Sequence, residues 1–276
     1  MRIATTDSVL KSLFIHNRSL PTAERYTQIE QIERDWIIPK VAALTARTPM
    51  IGSRAQWVAA LEELLASEQE GTPAGHYLAE KASRAQFTLV VREFALDGLT
   101  EAQNFFPIIP RLPIRAQMAV MRVLIDEFGC GNLQQTHSQL YRNLLTELEL
   151  PLDLNRYLDH TSDETYAFLN VFYWLTQRAP DVEYFLGALA YLEASIPAAF
   201  TVQVRACERL GITHGRYYSE HVHIDDFHRK EMQLAIREYE AAHALDPTKL
   251  WIGALLLSEL IGTAFEAAVR RAREEA

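Results

Sequence analysis

The sequence predicts an all-helical domain, and three observations carry the prediction. Apolar residues recur at three- and four-residue steps, with almost no strand-like alternation. Helix-starting residues such as Ser53, Ser162 and Asp246-Pro247 precede these runs, and glycine or proline clusters end them. Of the 276 residues 49% are hydrophobic, enough to bury a sizeable core. With no internal repeat and no long linker, residues 1–276 are expected to form one domain. Within it, 1–75 would be an N-terminal helical extension and 76–276 the core bundle.

The elements follow in order. Residues 22–46 read as a helix with Tyr26, Ile29, Ile32, Trp36 and Ile37 on one face, ended near Thr48-Pro49. Ser53 caps a second helix that turns Trp57, Leu61 and Leu65 inward, and the stretch from Gly71 to Gly75 breaks it. A long helix is expected from His76 to Phe106, stopped by Pro107, Pro110 and Pro113. Ile114 to Phe128 forms the next helix and ends at Gly129-Cys130-Gly131-Asn132; another covers Leu133 to Leu148. A short helix starts near Asp153, and a longer one spans 162–178. Residues 181–210 are long and apolar, with Pro197 as a kink point. Helices over 214–243 and from Pro247 to the charged tail complete the chain, with Pro247 suited to a first helical position.

Charge and cysteine content narrow the function. A net charge of −9 and a pI near 5.5 argue against nucleic acid or an anionic membrane as the main partner. Two cysteines, Cys130 and Cys207, are too few for a disulfide framework, which suits a reducing cytosol. The first twenty residues lack the apolar run and small-residue cleavage site of a secretory signal. No run of roughly 18 uncharged apolar residues is present to span a bilayer, so a cytoplasmic location is expected.

The stretch YYSEHVHIDDFHRK at 217–230 holds three of the nine histidines. On a helix at about 100° per residue, His221, Asp225 and His228 fall within about 60° of one another, while His223 and Asp226 turn away. Two imidazoles and a carboxylate on adjacent turns suit a mid-row divalent ion such as iron or manganese. Three more candidates lie upstream. Glu127 ends an apolar helix, His137 follows it by ten residues, and Glu101 precedes the apolar pair Phe105-Phe106. A carboxylate amid apolar surface is costly unless paired or coordinated. Together these residues are the donor inventory of a di-iron carboxylate site in a helical bundle. Periodicity leaves one choice open, because Glu93, Asp97 and Glu101 stand at i, i+4 and i+8 and Asp97 could replace Glu101.

The pattern Asp126-Glu127-Phe128-Gly129-x-Gly131, His137, then Tyr217-x3-His221-x3-Asp225-x2-His228 resembles the haem-oxygenase-like di-iron oxidases and oxygenases, the iron-containing redox enzymes. The resemblance covers roughly residues 87–239 and implies a haem-oxygenase-like seven-helix bundle with additional N-terminal helices. It implies Glu101, Glu127, His137, His221, Asp225 and His228 as ligands of two Fe(II) ions. Tyr217, Glu193 and Asp97 are expected as residues supporting those ligands. Other branches place a histidine three or seven residues after the first glutamate, where this chain has Asn104 and Ile108. A histidine ten residues after the second glutamate resembles the N-oxygenating branch. That branch implies O2 as co-substrate, a peroxo-di-iron(III) species, and a small-molecule amine carried to hydroxylamine, nitroso or nitro products, as in natural-product biosynthesis. It also implies an external electron donor, such as a reductase, a ferredoxin or a chemical reductant. Oxidation at carbon, a helical haem or thiamine-pathway binding protein, and a cofactor-free scaffold are the competing readings. Arg205 and Arg216 are candidate anchors for a substrate carboxylate, and the N-terminal extension could serve a homodimer.

Overall fold

The computed structural model describes residues 8–275, apart from the side chain of Asp225, and every regular element among them is helical. The helices are α1 (Val9–Asn17), α2 (Ala23–Arg47), α3 (Arg54–Glu68), α4 (Pro73–Glu80), α5 (Arg84–Glu93) and α6 (Ala95–Gly98). They continue with α7 (Ile114–Glu127), α8 (His137–Glu147), α9 (Asp163–Gln177), α10 (Glu183–Leu210), α11 (Arg216–Ala242) and α12 (Pro247–Glu275). Short 3-10 turns link them, the longest over Gln103–Arg111. Thr22, Ser53, Thr72, Ser162 and Thr136 each accept a backbone N–H from three residues on, so their helices begin at capped positions.

The centre of the molecule is α10, which packs most extensively on α12 and α11; α11 in turn lies along α7. Two glycines set the α10–α12 crossing. A Cβ on Gly187 would stand 1.9 Å from the Leu250 carbonyl oxygen, and one on Gly253 would stand 2.0 Å from that of Tyr184. Backbone therefore meets backbone, and a methyl group at either place has nowhere to go. By length and composition α10 and α12 are apolar enough to cross a membrane, but charged residues such as Glu193 and Glu259 interrupt them and both run through the core of the bundle. The N-terminal helices are part of the same core. Phe14, Ile37, Leu44 and Trp57 join its single apolar cluster, and α1 seats on α9.

One stretch departs from the expected course. The single helix over 76–106 is three short helices followed by a turn. The Tyr77 carbonyl accepts from both Lys81 and Ala82, which ends α4, and a capping box between Ser83 and Gln86 starts α5. After the bend at Phe94, α6 runs only to Gly98, and Ala102 is left-handed at φ 57°. Pro107 and Pro110 lie inside the following 3-10 turn rather than beyond a helix. Glu93 accordingly leaves the face expected for it. It accepts from the Ser162 backbone N–H (2.7 Å), from the Ser162 and Thr165 hydroxyls (2.6 and 2.8 Å) and from Arg271 (2.9 Å). The helix expected from Leu133 also begins later, at His137, after a 3-10 turn.

Glu147, the last residue of α8, fixes the approach to the histidine-bearing helix. Its carboxylate accepts the backbone N–H groups of Thr213 (2.9 Å) and His214 (2.6 Å), just before α11. Partial burial pushes this carboxyl up, but the backbone and side-chain donors of Thr213 and His214 outweigh it and hold the pKa at about 2. A depressed folded pKa contributes stability present above the ordinary value of 4.5 and lost as pH falls toward about 2. In acid titration of the fold, Glu147→Gln is expected to show a shallower loss of stability across that window than the unmodified chain. The glycine crossing makes a second prediction. Gly187→Ala or Gly253→Ala should cost about 1–3 kcal/mol or more, seen as a lower urea midpoint. Gly262→Ala, with nothing within 4 Å, should be neutral or stabilising.

Candidate metal centre

Five titratable residues converge from four parts of the chain. Glu127 is the last residue of α7, His137 the first of α8, and His221 and His228 lie two turns apart on α11. Glu101 stands in the turn between α6 and the 3-10 segment. Glu127, His137, His221 and His228 are buried, and Glu101 is partly so. The α7–α8 junction explains how Glu127 and His137 meet. Gly129, Cys130 and Gly131 all take positive φ (61°, 51° and 84°), which reverses the chain in three residues. A Cβ on Gly129 would lie 2.7 Å from the backbone of Gln135 and Thr136, so only glycine lets the strand of backbone into α8 pass so close.

His137 Nδ1 stands 2.7 Å from Glu127 Oε2 and 3.0 Å from His221 Nε2, and that same Nε2 is 3.4 Å from Glu101 Oε1. One donor atom from each of Glu101, Glu127, His137 and His221 can be chosen so that all lie within 4.8 Å of one another. The other oxygen of Glu127 faces a different neighbour: Oε1 is 3.7 Å from His228 Nδ1. Thus one carboxylate stands between two sets of imidazoles.

The donor chemistry fits a cation. His221 Nδ1 bonds the Tyr217 carbonyl oxygen at 2.8 Å, so Nδ1 carries the proton and Nε2 turns a lone pair inward. His137 Nδ1 brings at most one proton to the lone pairs of His221 and Glu127, and Glu101 adds a further carboxylate. Lone pairs exceed protons, in surroundings that exclude water. A divalent ion bound by nitrogen and oxygen at roughly 2.0–2.2 Å satisfies that excess, and imidazole with carboxylate suits iron among others. Local charge agrees. Burial drives Glu127 up, yet His137, by charge and hydrogen bond, with His221 and His228, outweighs it and holds the pKa at about 2. Asp97 goes the other way: burial, then Glu101 and Glu127, push it well above the usual carboxylate range against the pull of His221.

The remaining sequence-selected residues are placed as follows. Tyr217 donates its hydroxyl to Glu101 Oε2 at 2.8 Å, and burial with the Glu101 and Asp97 charges raises its pKa, keeping it a donor. Glu193, from α10, lies 3.1 Å from His228 Nδ1. Asp97 feels the charges of the cluster but supplies none of its four closely grouped donor atoms. His223 and Asp226 are exposed, and Asp226 pairs with Arg229 and Lys230, so the two faces of α11 separate as helical spacing requires. Asp225 belongs to α11, but its side chain lies outside the described residues. Arg205 and Arg216 are exposed and pair with Glu80 (3.8 Å) and Glu220 (3.1 Å).

Two neighbours escaped sequence reasoning. Asp126 Oδ2 is 3.6 Å from His228 Nε2, a position that adjacency to Glu127 could have suggested. Phe200 lays its ring 5.1 Å from that of His221 and 5.9 Å from that of Tyr217. It follows Glu193 by seven residues, the spacing of one helical face, and that was its available signal.

Comparison with known proteins agrees with this geometry. Residues 88–261 match the family model described as iron-containing redox enzyme. A curated relative, nitrosourea synthase of Streptomyces achromogenes subsp. streptozoticus, is 30% identical over 175 residues. That match covers 60% of this chain and 35% of the relative. The expected haem-oxygenase-like family and its all-helical fold both hold.

The Gly129 turn gives a test of the site's construction. Gly131→Ala meets no neighbour and should cost only the left-handed strain of about 1–2 kcal/mol. Gly129→Ala adds a collision with the backbone entering α8. It is expected to be the more destabilising in denaturant unfolding and to weaken cobalt uptake, which Gly131→Ala should retain.

Proposed function

We propose, for a chain that belongs to the iron-containing redox enzyme family, a non-haem di-iron oxygenase that uses O2 to oxidise an amine nitrogen of a small metabolite. The product would be a hydroxylamine or its nitroso and nitro successors. The observation that carries the metal reading is Glu127, whose two oxygens face different imidazoles, His137 at 2.7 Å and His228 at 3.7 Å. A carboxylate so placed would serve two metal positions. The ligands would be Glu101, Glu127, His137, His221, Asp225 and His228. Asp225 is included on its helical position alone, one turn after His221.

Two ferrous ions bound there would supply the electrons that activate dioxygen, and an external reductant would restore them. The chain's own residues do the rest. As ligands, the three imidazoles would add no charge to the centre, while its carboxylates would balance the ions. Glu193 holds one nitrogen of His228 and so orients the other, the carboxylate–histidine arrangement that raises ligand basicity. Phe200 and the ring of Tyr217 cover His221 and keep water from that side.

Nitrogen rather than carbon as the site of oxidation rests on two supports. His137 follows Glu127 by ten residues, the spacing that resembles the N-oxygenating branch. The relative that shares 30% identity is by name a nitrosourea synthase, although the chain spans only 35% of its length. A reductase or ferredoxin as electron donor, a cytosolic setting and a role in natural-product biosynthesis belong to the same reading. Neither nucleic acid nor a membrane is required as a partner.

The ferrous protein, given an amine substrate and 18O2, should yield a product with the label on nitrogen and the carbon skeleton intact. Label on carbon, or a shortened skeleton, would replace N-oxygenation with carbon oxidation. In ferrous titration, His221→Ala or His228→Ala should lose at least one bound iron, whereas the exposed His223→Ala should bind as the unmodified chain does.

A further inference from the structure

Glu101 is the one member of the four-residue cluster that no helix holds. The α6 helix ends at Gly98, Ala102 is left-handed, and the next regular turn starts at Gln103. Its carboxylate is nevertheless fixed, because the Tyr217 hydroxyl donates to Oε2 at 2.8 Å. The same residue acts on a second member of the cluster. Its backbone carbonyl accepts from His221 Nδ1 at 2.8 Å, one helical turn away.

We propose that Tyr217 is the positioning residue of the centre, fixing Glu101 through its hydroxyl and the His221 tautomer through its carbonyl. This rests on the reading of Glu101 and His221 as metal ligands. The hydroxyl arm occupies one carboxylate oxygen, so Glu101 offers Oε1 to the centre, and Oε1 is the oxygen 3.4 Å from His221 Nε2. A phenol bonded to a partly buried carboxylate is a charge-assisted interaction, stronger than a bond between neutral groups.

The ring is itself wedged. Tyr141 meets it edge-on with centroids 4.7 Å apart, and Phe200 lies 5.9 Å away on α10. Tyr141 cannot turn aside, since its hydroxyl donates to the Val91 carbonyl oxygen at 2.6 Å. It also fills the space that a side chain at residue 98 would need, for a Cβ on Gly98 would stand 2.4 Å from its ring. Gly98, Tyr141, Tyr217 and Glu101 thus form one mechanical series, which places a carboxylate borne on irregular backbone.

Tyr217→Phe removes the hydroxyl arm and leaves both the ring and the carbonyl arm in place. The full chain is titrated anaerobically with Co(II), following its visible ligand-field absorption, beside Glu101→Gln. With helical circular dichroism unchanged, Tyr217→Phe should bind Co(II) about 10–100-fold more weakly, the usual cost of losing a supporting hydrogen bond, and its absorption band should shift. Affinity and band equal to the unmodified chain in Tyr217→Phe, with Glu101→Gln perturbed, would overturn the positioning role and leave the ligand reading standing. No change in either variant would overturn Glu101 as a ligand and the inference with it.

Discussion

A carboxylate buried at the end of an apolar helix sets the terms for this protein. Removing Glu127 from water would cost several kcal/mol if nothing faced it, yet it is 7% exposed and held ionised. Three imidazoles make that tolerable, and each comes from a different position: His137 from the start of α8, His221 and His228 from successive stretches of α11. For those groups to reach one carboxylate, α7 must end where α11 crosses it, and the chain must reverse into α8 within ten residues. The left-handed Gly129-Cys130-Gly131 turn performs that reversal. From α10, which packs on α11 as well as on α12, Glu193 then reaches His228.

The arrangement is polarised. One oxygen of Glu127 looks toward Glu101, His137 and His221, whose donor atoms already sit within the span of a single ion. The other looks toward His228, which has Glu193 on one nitrogen and Asp126 at 3.6 Å from the other. The donors of the first group are thus gathered from three helix-borne residues and one turn of the fold. The second relies on carboxylates around a single described imidazole. Excess lone pairs on both sides are a reservoir of affinity that a cation would draw on, and Asp97 is pushed toward its neutral form first by burial and then by the Glu101 and Glu127 charges.

Much of this was legible in the sequence, for identifiable reasons. Strongly periodic helices such as those over residues 23–47, 114–127 and 163–177 fall within a residue or two of their expected bounds, because local signals and tertiary packing agree there. Helical spacing alone separated His221 and His228 from His223 and Asp226. The failure over 76–106 has a readable cause. Ser83 and Gln86 spell a capping box, and the helix-forming residues on both sides hid it. That misreading also placed Glu93 on the metal face, whereas the breaks before Glu101 send it to Ser162, Thr165 and Arg271. What periodicity could not supply is tertiary. The Tyr217 bond to Glu101, the ring of Phe200 on His221 and the glycine crossing all join residues far apart in the chain.

The central claim is that Glu127 is shared by two metal positions. The most direct measurement is an anomalous-scattering crystal structure of the unmodified chain loaded anaerobically with ferrous iron. Two iron peaks, one on each side of the Glu127 carboxylate, are the predicted result. A single peak among Glu101, Glu127, His137 and His221, with none on the His228 side at saturating iron, would contradict it.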